Sequence, residues 1–178
     1  MLPKPVIGFA AFSGTGKTTL LEQIIPLLVE QGIRVALIKH AHHDFDIDVP
    51  GKDSYRLRKA GATQTLVASG KRWALIQENP TPTPDPELHA LLAELNPSLL
   101  DVVLVEGFKH QSLPRIELHR PSLGHPLLYP QDDNIIAVAS DEALVLPENI
   151  VALDLNSPTL ITEFIINYLQ LSTHRNKP

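Results

Sequence analysis

The feature that most constrains this chain lies near its start, where a short apolar run passes through a small-residue turn into a helical pattern. From Ala11 to Thr18 the turn has the spacing of a Walker A phosphate-binding loop, with Ala11 in place of the first glycine. Apolar residues then recur at helical spacing from Leu20 to Val29. A strand, a phosphate loop and a helix in this order predict an α/β domain with a nucleotide site near the chain's start.

The residue types of this turn follow from what a polyphosphate needs, which is many converging donors and no side chains in the way. Gly14 and Gly16 leave that space, so backbone N–H groups can point inward beside the positive end of the following helix. Lys17 is expected to reach the β- and γ-phosphates, Thr18 to ligate Mg²⁺, and Thr19 to donate to the α-phosphate. The predicted phosphate-binding residues are Ser13, Gly14, Thr15, Gly16, Lys17, Thr18 and Thr19.

A second unusual stretch runs from Lys39 to Asp48 and crowds together three histidines and three alternating aspartates. An EF-hand is excluded, because its sixth position would be Val49 rather than glycine and its twelfth Tyr55 rather than glutamate. A solvated acidic loop is one interpretation of the stretch. The other is a switch-like segment whose side chains meet Mg²⁺ or a substrate beside the γ-phosphate. The residues concerned are His40, His42, His43, Asp44, Asp46 and Asp48.

The third landmark is the run from Leu99 to Gly107, in which four β-forming residues end in Glu106. A central strand that delivers one carboxylate beside a phosphate loop is the arrangement of a Walker B element, which holds Mg²⁺ directly or through water. Glu106 is therefore the candidate metal-facing and catalytic residue. Asp101 lies at the other end of the strand and is expected to be structural.

The remaining pattern predicts strands and helices in alternation. A buried strand is expected over 33–39, a short helix over 52–59 with a solvated basic face, and a hairpin from 63–68 and 72–76. Further strands are expected over 115–120, with one polar face in water or against a partner, over 135–139, and over 150–153. Ser157 and Pro158 are expected to start a C-terminal helix.

This order predicts an α/β fold resembling the P-loop NTPases, with a mostly parallel sheet, helices on both faces and a β-hairpin extension. The whole chain, 1–178, is expected to be a single nucleotide-binding domain, with a Pro-rich internal loop at 79–86 and a frayed tail at 172–178.

Composition excludes several kinds of partner and site. A formal charge of −5 without a long basic run argues against a nucleic-acid surface, and the absence of cysteine excludes disulfides and thiolate metal sites. No apolar stretch approaches the roughly 20 residues that span a bilayer. The expected protein is soluble and cytoplasmic.

The phosphate loop, the stretch from Lys39 to Asp48, the sequence Pro50-Gly51-Lys52-Asp53-Ser54 and the run from Val105 to Lys109 together resemble the molybdopterin-guanine dinucleotide biosynthesis protein B (MobB) family. The resemblance extends over nearly the whole chain. It implies a small homodimeric protein that binds GTP with Mg²⁺, has at most weak GTPase activity, and acts as an adapter for the guanylyltransferase that attaches GMP to molybdopterin. Molybdopterin-bearing proteins are further candidate partners.

The resemblance also implies where this site extends beyond the loop. Glu106 and Asp44 would join Thr18 at the metal, while His40, Asp53 and Gly107 would contribute to nucleotide binding.

Guanine preference has no readable signature in the sequence. Neither Asn-Lys-x-Asp nor Thr-Lys-x-Asp occurs, and Ser140-Asp141 takes a comparable place after a strand. The sequence also lacks an obvious water-positioning glutamine or arginine finger, which favours slow hydrolysis.

Two other functions therefore stay open. One is a small-molecule P-loop kinase, with Asp44 or Asp46 as the base and the Arg56/Arg58 helix as a lid. The other is a metal-delivery GTPase that uses His40, His42 and His43 as ligands.

Overall fold

A parallel sheet of six strands carries the predicted site. A computed structural model describes residues 4–41, 45–79, 81 and 86–171. The strands of this sheet are β1 (Val6–Ala10), β2 (Val35–Lys39), β5 (Val102–Glu106), β6 (Arg115–His119), β7 (Ile135–Ser140) and β8 (Val151–Asp154). Their order across the sheet is β2-β5-β1-β6-β7-β8, and all neighbours are parallel. The predicted α/β fold with a mostly parallel sheet is confirmed.

Helices cover both faces of this sheet, as predicted. The long helices α1 (Lys17–Glu30) and α4 (Pro158–Tyr168) pack with Ile7, Leu104 and Ile116 in one apolar core. The short helix α3 (Leu88–Ala93) packs in a second core that includes Val103 and Val105 of β5. Because β5 faces both cores, Val102 to Val105 are almost wholly buried, which explains their continuous apolar run.

Strand β2 differs from its prediction. A buried strand was expected over 33–39, but β2 lies at the edge of the sheet and buries only Ile38 of its five residues. An edge strand has a neighbour on one side alone, so its other side stays open even when its sequence is apolar.

Strand β6 contradicts the sequence more strongly. The alternation of Arg115, Glu117 and His119 predicted a polar face in water or against a partner, yet all three are buried, with exposures of 2%, 1% and 7%. The segment 121–134 satisfies this face from within the chain. The prediction was wrong because periodicity reports the polarity of a face and not what covers it.

The C-terminal helix begins at Pro158 as predicted, but the side chain of Ser157 makes no capping hydrogen bond. Along α4, Ile161 and Ile165 are fully buried, while Leu160 and Tyr168 are about half exposed. The apolar stripe of α4 is therefore narrower than its sequence indicates.

The chain divides into two compact units, one formed by Met1–His40 with Leu88–Pro178 and the other by Ala41–Glu87. One domain over residues 1–178 stays a prediction. The second unit contains α2 (Asp53–Lys59) and the antiparallel hairpin of β3 (Gln64–Ala68) and β4 (Trp73–Gln77). Both the short helix and the hairpin extension are thus confirmed.

Within the second unit, the basic face of α2 is not fully solvated as expected. Arg58 is 7% exposed and pairs with Asp46 and, at 2.6 Å, with Glu78. The hydrogen bond from Arg58, and to a lesser degree its charge, hold the pKa of Asp46 below its usual value. Because these two carboxylates neutralise it, the Arg58 guanidinium can be buried, whereas the sequence periodicity alone would place it in water.

Across the described ranges of the chain, no helix is long and apolar enough to cross a membrane.

Candidate nucleotide site

The phosphate loop connects the carboxyl end of β1 to the first turn of α1, as the sequence predicted. Gly14 and Gly16 have φ of 82° and 100°, a left-handed conformation that strains any other residue. The buried Thr15 hydroxyl donates to the carbonyl of Phe12 at 2.9 Å and closes the turn from within. The loop leads directly into the first turn of α1, where the helix dipole adds positive potential that favours an anion.

Lys17 lies half-buried against this loop, and its Nζ is 3.4 Å from the carbonyl oxygen of Ala11, to which it donates. Burial lowers the pKa of Lys17; the carboxylate of Glu106 opposes that shift, and the charges of Lys109 and Lys39 add to it. The charges of Glu106, Lys109 and Lys39 are thus near enough to Lys17 to act on it. An excess of positive charge at a helix N-terminus favours a polyanion.

The side chains of Ser13, Thr18 and Thr19 are exposed along the same loop and first helical turn. Their hydroxyls are therefore accessible to a ligand. An exposed hydroxyl at Thr18, one residue after the lysine, fits the position from which P-loop proteins ligate Mg²⁺.

Glu106 ends β5 next to the phosphate loop, because β5 pairs directly with β1 and Glu106 is in register with Phe9. Its carboxylate lies 3.2 Å from Nζ of Lys39, the last residue of β2. The structure thus places Glu106 as predicted and adds Lys39, which sequence reasoning had treated only as the start of the His/Asp stretch.

His40 and Gly107 meet at this same edge of the sheet. The backbone N–H of His40 donates to the carbonyl of Glu106, and its ring lies 5.0 Å from that of Phe108. A Cβ on Gly107 would lie 2.7 Å from the Cβ of His40, and Gly107 has a φ of 91°. Glycine is required here for close approach, which supports the choice of these two residues as neighbours of the site without testing nucleotide contact.

The turn after β5 is held by a buried cation. Phe108 follows Gly107 with a φ of 54°, unusual for a bulky residue. Its carbonyl accepts a 2.7 Å hydrogen bond from Arg115, which also donates to the carbonyl of Gln111. Arg115 therefore fixes the backbone that carries Glu106 and Gly107 into the site.

Arg120 is a site residue that sequence reasoning missed. It follows β6 directly, and its Nε donates to the carbonyl of Thr15 in the phosphate loop at 3.0 Å. Its NH1 donates to Oδ2 of Asp141 at 2.6 Å. The sequence shows that Arg120 directly follows a predicted strand. It does not show that this strand lies beside β1, because strand order cannot be read from sequence.

A second contact from the same region reaches the loop through aromatic packing. The imidazole of His125 stacks on the ring of Phe12, with centroids 4.4 Å apart and planes 15° from parallel. The segment after β6 thus braces the phosphate loop at two points, Arg120 on Thr15 and His125 on Phe12.

Other predicted residues stay untested. Asp53 begins α2 in the second unit, where its side chain is 92% exposed and 3.8 Å from Arg56. Asp44, His42 and His43 lie outside the described residues. Over the ranges that are described, no group of three or more histidines, aspartates and glutamates is placed to hold a metal ion.

The kinase alternative loses one of its two candidate bases. Asp46 is paired with Arg58 and its pKa is lowered, which makes its carboxylate a weaker base. Pairing with Asp46 and Glu78 occupies Arg58, one of the two arginines expected to act as a lid.

Comparison with known proteins gives consistent matches. The family model for Molybdopterin guanine dinucleotide synthesis protein B matches residues 6–141. The chain is 51% identical over 170 residues to the molybdopterin-guanine dinucleotide biosynthesis adapter protein of Escherichia coli (strain K12), covering 93% of this chain and 94% of that one. The adapter protein of Haemophilus influenzae is 42% identical over 166 residues, covering 93% and 89%.

Solved structures agree with these matches. A crystal structure of molybdopterin-guanine biosynthesis protein B aligns with a TM-score of 0.69 and 26% identity, over 92% of this chain and 99% of that one. A MobB homologue from Bacillus stearothermophilus aligns with a TM-score of 0.65 and 27% identity, over 93% and 97%. The structural similarity therefore extends over more than nine-tenths of this chain.

Proposed function

The chain belongs to the molybdopterin guanine dinucleotide synthesis protein B family, and from this we propose that it is a GTP-binding adapter in the biosynthesis of the molybdenum cofactor. In this role it supports the guanylyltransferase that attaches GMP to molybdopterin, and it hydrolyses GTP slowly or not at all. The proposal includes a cytoplasmic location and a homodimer.

One observation carries this proposal. The chain shares 51% of its residues, over nearly the full length of both proteins, with a relative named as an adapter protein of this pathway. The phosphate loop supports a nucleotide as the bound ligand, because its left-handed glycines, the half-buried Lys17 and the start of α1 fit a polyphosphate.

Different residues of the site would bind the phosphates and the metal of such a ligand. Loop amides and Lys17 would bind the phosphates, and the exposed Thr18 hydroxyl with the carboxylate of Glu106 would hold Mg²⁺. A bound Mg²⁺ supplies positive charge that neutralises the phosphates. Lys39, whose Nζ lies 3.2 Å from the carboxylate of Glu106, would add a further positive charge beside the phosphates.

Slow hydrolysis agrees with the contacts of Arg120, the arginine that binds the phosphate loop. The guanidinium of Arg120 is engaged by Thr15 and Asp141, so two of its nitrogens already have partners. A protein that uses GTP as a binding signal needs a persistent complex more than turnover, and an adapter fits that requirement.

Calorimetric titration with GTP and with ATP, each with Mg²⁺, tests nucleotide binding. We expect GTP to bind more tightly, with turnover no faster than about a few per hour, the order of an unassisted GTPase. Lys17→Ala should weaken binding by at least about tenfold, because a charge-assisted contact to phosphate is lost. Binding that stays within about twofold in this variant would remove the phosphate-loop assignment.

Glu106→Gln tests whether Glu106 binds Mg²⁺ or only supports the structure of the site. We expect it to weaken GTP binding in Mg²⁺ and to leave binding in EDTA nearly unchanged, since an amide oxygen is a poorer ligand for a hard cation. An equal effect under both conditions would assign Glu106 to the structure rather than to the metal.

Association with the guanylyltransferase is tested by co-purification with and without GTP. A complex that depends on GTP and is lost in Lys17→Ala would establish the adapter role. Failure to associate under either condition would refute it.

The homodimer has a candidate surface on the hairpin. Leu66 pairs with Leu75 across β3 and β4 and Ala68 pairs with Trp73, so the apolar side chains share one face. Leu66, Trp73 and Leu75 are 61%, 69% and 46% exposed. Light scattering of Trp73→Ser should show weaker dimerisation than the parent chain, and an unchanged mass would exclude this face.

A further inference from the structure

The turn directly after β6 contacts the phosphate loop at both of its ends. At its start, Nε of Arg120 donates to the carbonyl of Thr15 at 3.0 Å. At its end, the imidazole of His125 stacks on the ring of Phe12, with centroids 4.4 Å apart. Residues 120–125, the bracing turn, therefore hold the loop at two separate points.

Backbone hydrogen bonds close the bracing turn on itself. The N–H of Leu123 donates to the carbonyl of Arg120 at 3.0 Å, and the N–H of Gly124 donates to the carbonyl of Pro121 at 2.9 Å. Proline restricts the backbone where the turn begins, and Gly124 ends it in the left-handed conformation, with a φ of 67°. The two contacts with the loop are thus joined by a short hydrogen-bonded segment.

Two carboxylates tie the bracing turn to the sheet. Asp141, directly after β7, accepts from NH1 of Arg120 at 2.6 Å and so fixes the plane of the guanidinium. The buried Glu117 of β6 accepts from the N–H groups of Leu128 and Tyr129, shortly beyond the turn, at 2.8 and 2.9 Å. The position of the turn beside the loop is therefore set by β6 and β7.

Within the loop, the two contact points are linked to each other. The hydroxyl and the N–H of Thr15 both donate to the carbonyl of Phe12, at 2.9 and 3.4 Å. Thr15 is almost wholly buried and lies between Gly14 and Gly16. A loop with two glycines loses much conformational entropy when it is ordered. Contacts that already fix its central residue lower this cost on binding.

The contact between Arg120 and Thr15 also sets the direction of a loop amide. The peptide bond between Thr15 and Gly16 is trans, so its N–H points opposite to the carbonyl that Arg120 binds. This N–H of Gly16 has no hydrogen-bond partner in the described part of the chain. It is therefore available to an anion, as the backbone N–H groups of a phosphate site must be.

We propose that Arg120 and His125 are positioning residues, which hold the phosphate loop in the conformation that binds a polyphosphate. The proposal rests on the nucleotide binding proposed above and names side chains outside the loop that set its affinity. Arg120 acts through the peptide of Thr15, and His125 acts through the ring of Phe12. Neither side chain has to touch a phosphate.

Calorimetric titration with inorganic tripolyphosphate in Mg²⁺ tests the loop without any contribution from a base. Arg120→Met should weaken binding by about fivefold or more, because a charged hydrogen-bond donor to the loop is lost. Arg120→Lys should weaken it nearly as much, since lysine keeps the charge but lacks the planar fork that holds Thr15 and Asp141 together. Full binding in Arg120→Lys would show that Arg120 acts by its charge and would overturn the positioning role, as would unchanged binding in Arg120→Met.

His125 provides a test that does not depend on how well the Arg120 variants fold, because its side chain is exposed. His125→Ala should weaken tripolyphosphate binding by about threefold through loss of the stacked ring on Phe12. His125→Phe keeps a stacking ring and should bind like the parent chain. Equal weakening in both variants, or in neither, would remove His125 from the proposal.

Two matched controls remove similar side chains away from the loop. Arg34 pairs with Asp101 as Arg120 pairs with Asp141, but at the amino end of β5, and His89 is exposed on α3. Arg34→Met and His89→Ala should leave tripolyphosphate affinity within about twofold of the parent chain. A loss equal to that of Arg120→Met would mean that the effect is not specific to the bracing turn.

Hydrogen exchange of the amides of residues 12–17, measured without ligand, separates this proposal from the proposed function. We expect faster exchange in Arg120→Met and in His125→Ala than in the parent chain and the two controls, because the loop opens more often. Exchange as slow as in the parent chain would refute the positioning role even if nucleotides bind. A parent chain that binds neither tripolyphosphate nor GTP would refute the proposed function, whatever the exchange rates show about the loop.

Discussion

Strands β5 and β6 flank the same central strand, yet they reach complete burial by opposite means. The residues Val102 to Val105 of β5 are apolar and need only complementary packing. Strand β6 alternates apolar residues with Arg115, Glu117 and His119. Arg115 and Glu117 are buried as deeply as the apolar residues of β5.

The difference lies in what each strand needs from the rest of the chain. A valine in a core loses water and gains contacts wherever a close-packed surface covers it. A buried guanidinium or carboxylate needs particular partners at hydrogen-bond distance, and here Phe108, Gln111, Leu128, Tyr129 and Asp132 provide them. Strand β5 ends in Glu106 on one side of the phosphate loop, and Arg120 directly follows β6 on the other.

Leu104→Ala should have the largest effect and measures the apolar side of this comparison. Leu104 is fully buried in the middle of β5, and truncation of such a side chain costs about 4 kcal/mol through lost burial and a residual cavity. Denaturant unfolding gives the change in the free energy of unfolding. A decrease in the free energy of unfolding below about 1 kcal/mol would mean that neighbouring side chains move in and fill the cavity left by Leu104.

Arg115→Met measures the polar side. The variant keeps the apolar stem but leaves Asp132 and the carbonyls of Phe108 and Gln111 without their donor. We expect the free energy of unfolding to fall by about 3 kcal/mol. This is at the lower end of the loss expected for an unpaired buried charge, because Asp132 is partly exposed.

The double variant Arg115→Met with Asp132→Asn sharpens this measurement. It removes the unpaired carboxylate and should recover part of the loss, whereas simple additivity of the two single effects would show that the pair is not coupled.

Glu117→Gln adds a dependence on pH. Burial raises the pKa of Glu117 above its ordinary 4.5, against the opposing hydrogen bonds from the N–H groups of Leu128 and Tyr129. The fold therefore disfavours the ionised form, so the stability contributed by Glu117 is greatest below pH 4.5 and is lost as pH rises through the raised pKa.

We expect Glu117→Gln to cost about 2 kcal/mol at low pH, since an amide NH₂ would face a backbone N–H. This cost should shrink as pH rises, because only the parent chain titrates. Unfolding curves from pH 4 to pH 8 on both proteins measure the difference, and a cost that grows with pH would reverse the argument.

Asp101→Asn should have the smallest effect and tests an exposed pair at the other end of β5. Asp101 accepts two side-chain hydrogen bonds from Arg34, at 2.9 and 2.7 Å, but the guanidinium side chain is 51% exposed, and solvent weakens such a pair. The pKa of Asp101 is held below its ordinary 3.8 by these bonds.

The stability from this pair is thus fully present above about pH 4 and is lost as pH falls below it. Parent and variant should converge in acid. A loss as large as that of Arg115→Met would show that exposure does not separate the two kinds of ion pair.

Much of the site follows from local sequence. The phosphate loop from Ala11 to Thr18 was placed correctly, because its glycine conformations and the helix start depend on residues adjacent in the chain. Glu106 was also placed correctly beside the loop, since a strand of four buried β-formers next to β1 is the simplest completion of the sheet. Nucleotide contact by these residues stays a prediction.

Arg120 and Asp141 could not be predicted in the same way. They are 21 residues apart, and they meet because β6 and β7 are adjacent and parallel. The burial of Arg58 was missed for the same reason, as its partners Asp46 and Glu78 come from either side of the hairpin in sequence.

The sequence by itself determined the class of fold and the phosphate loop, since strand and helix periodicity and glycine conformations are local properties of the chain. The tertiary structure alone decided which polar residues are buried, which strand lies at the edge, and which arginine reaches the loop. Those outcomes depend on partners that are distant in sequence, and the free energy of a buried charge is set by those partners rather than by its neighbours along the chain.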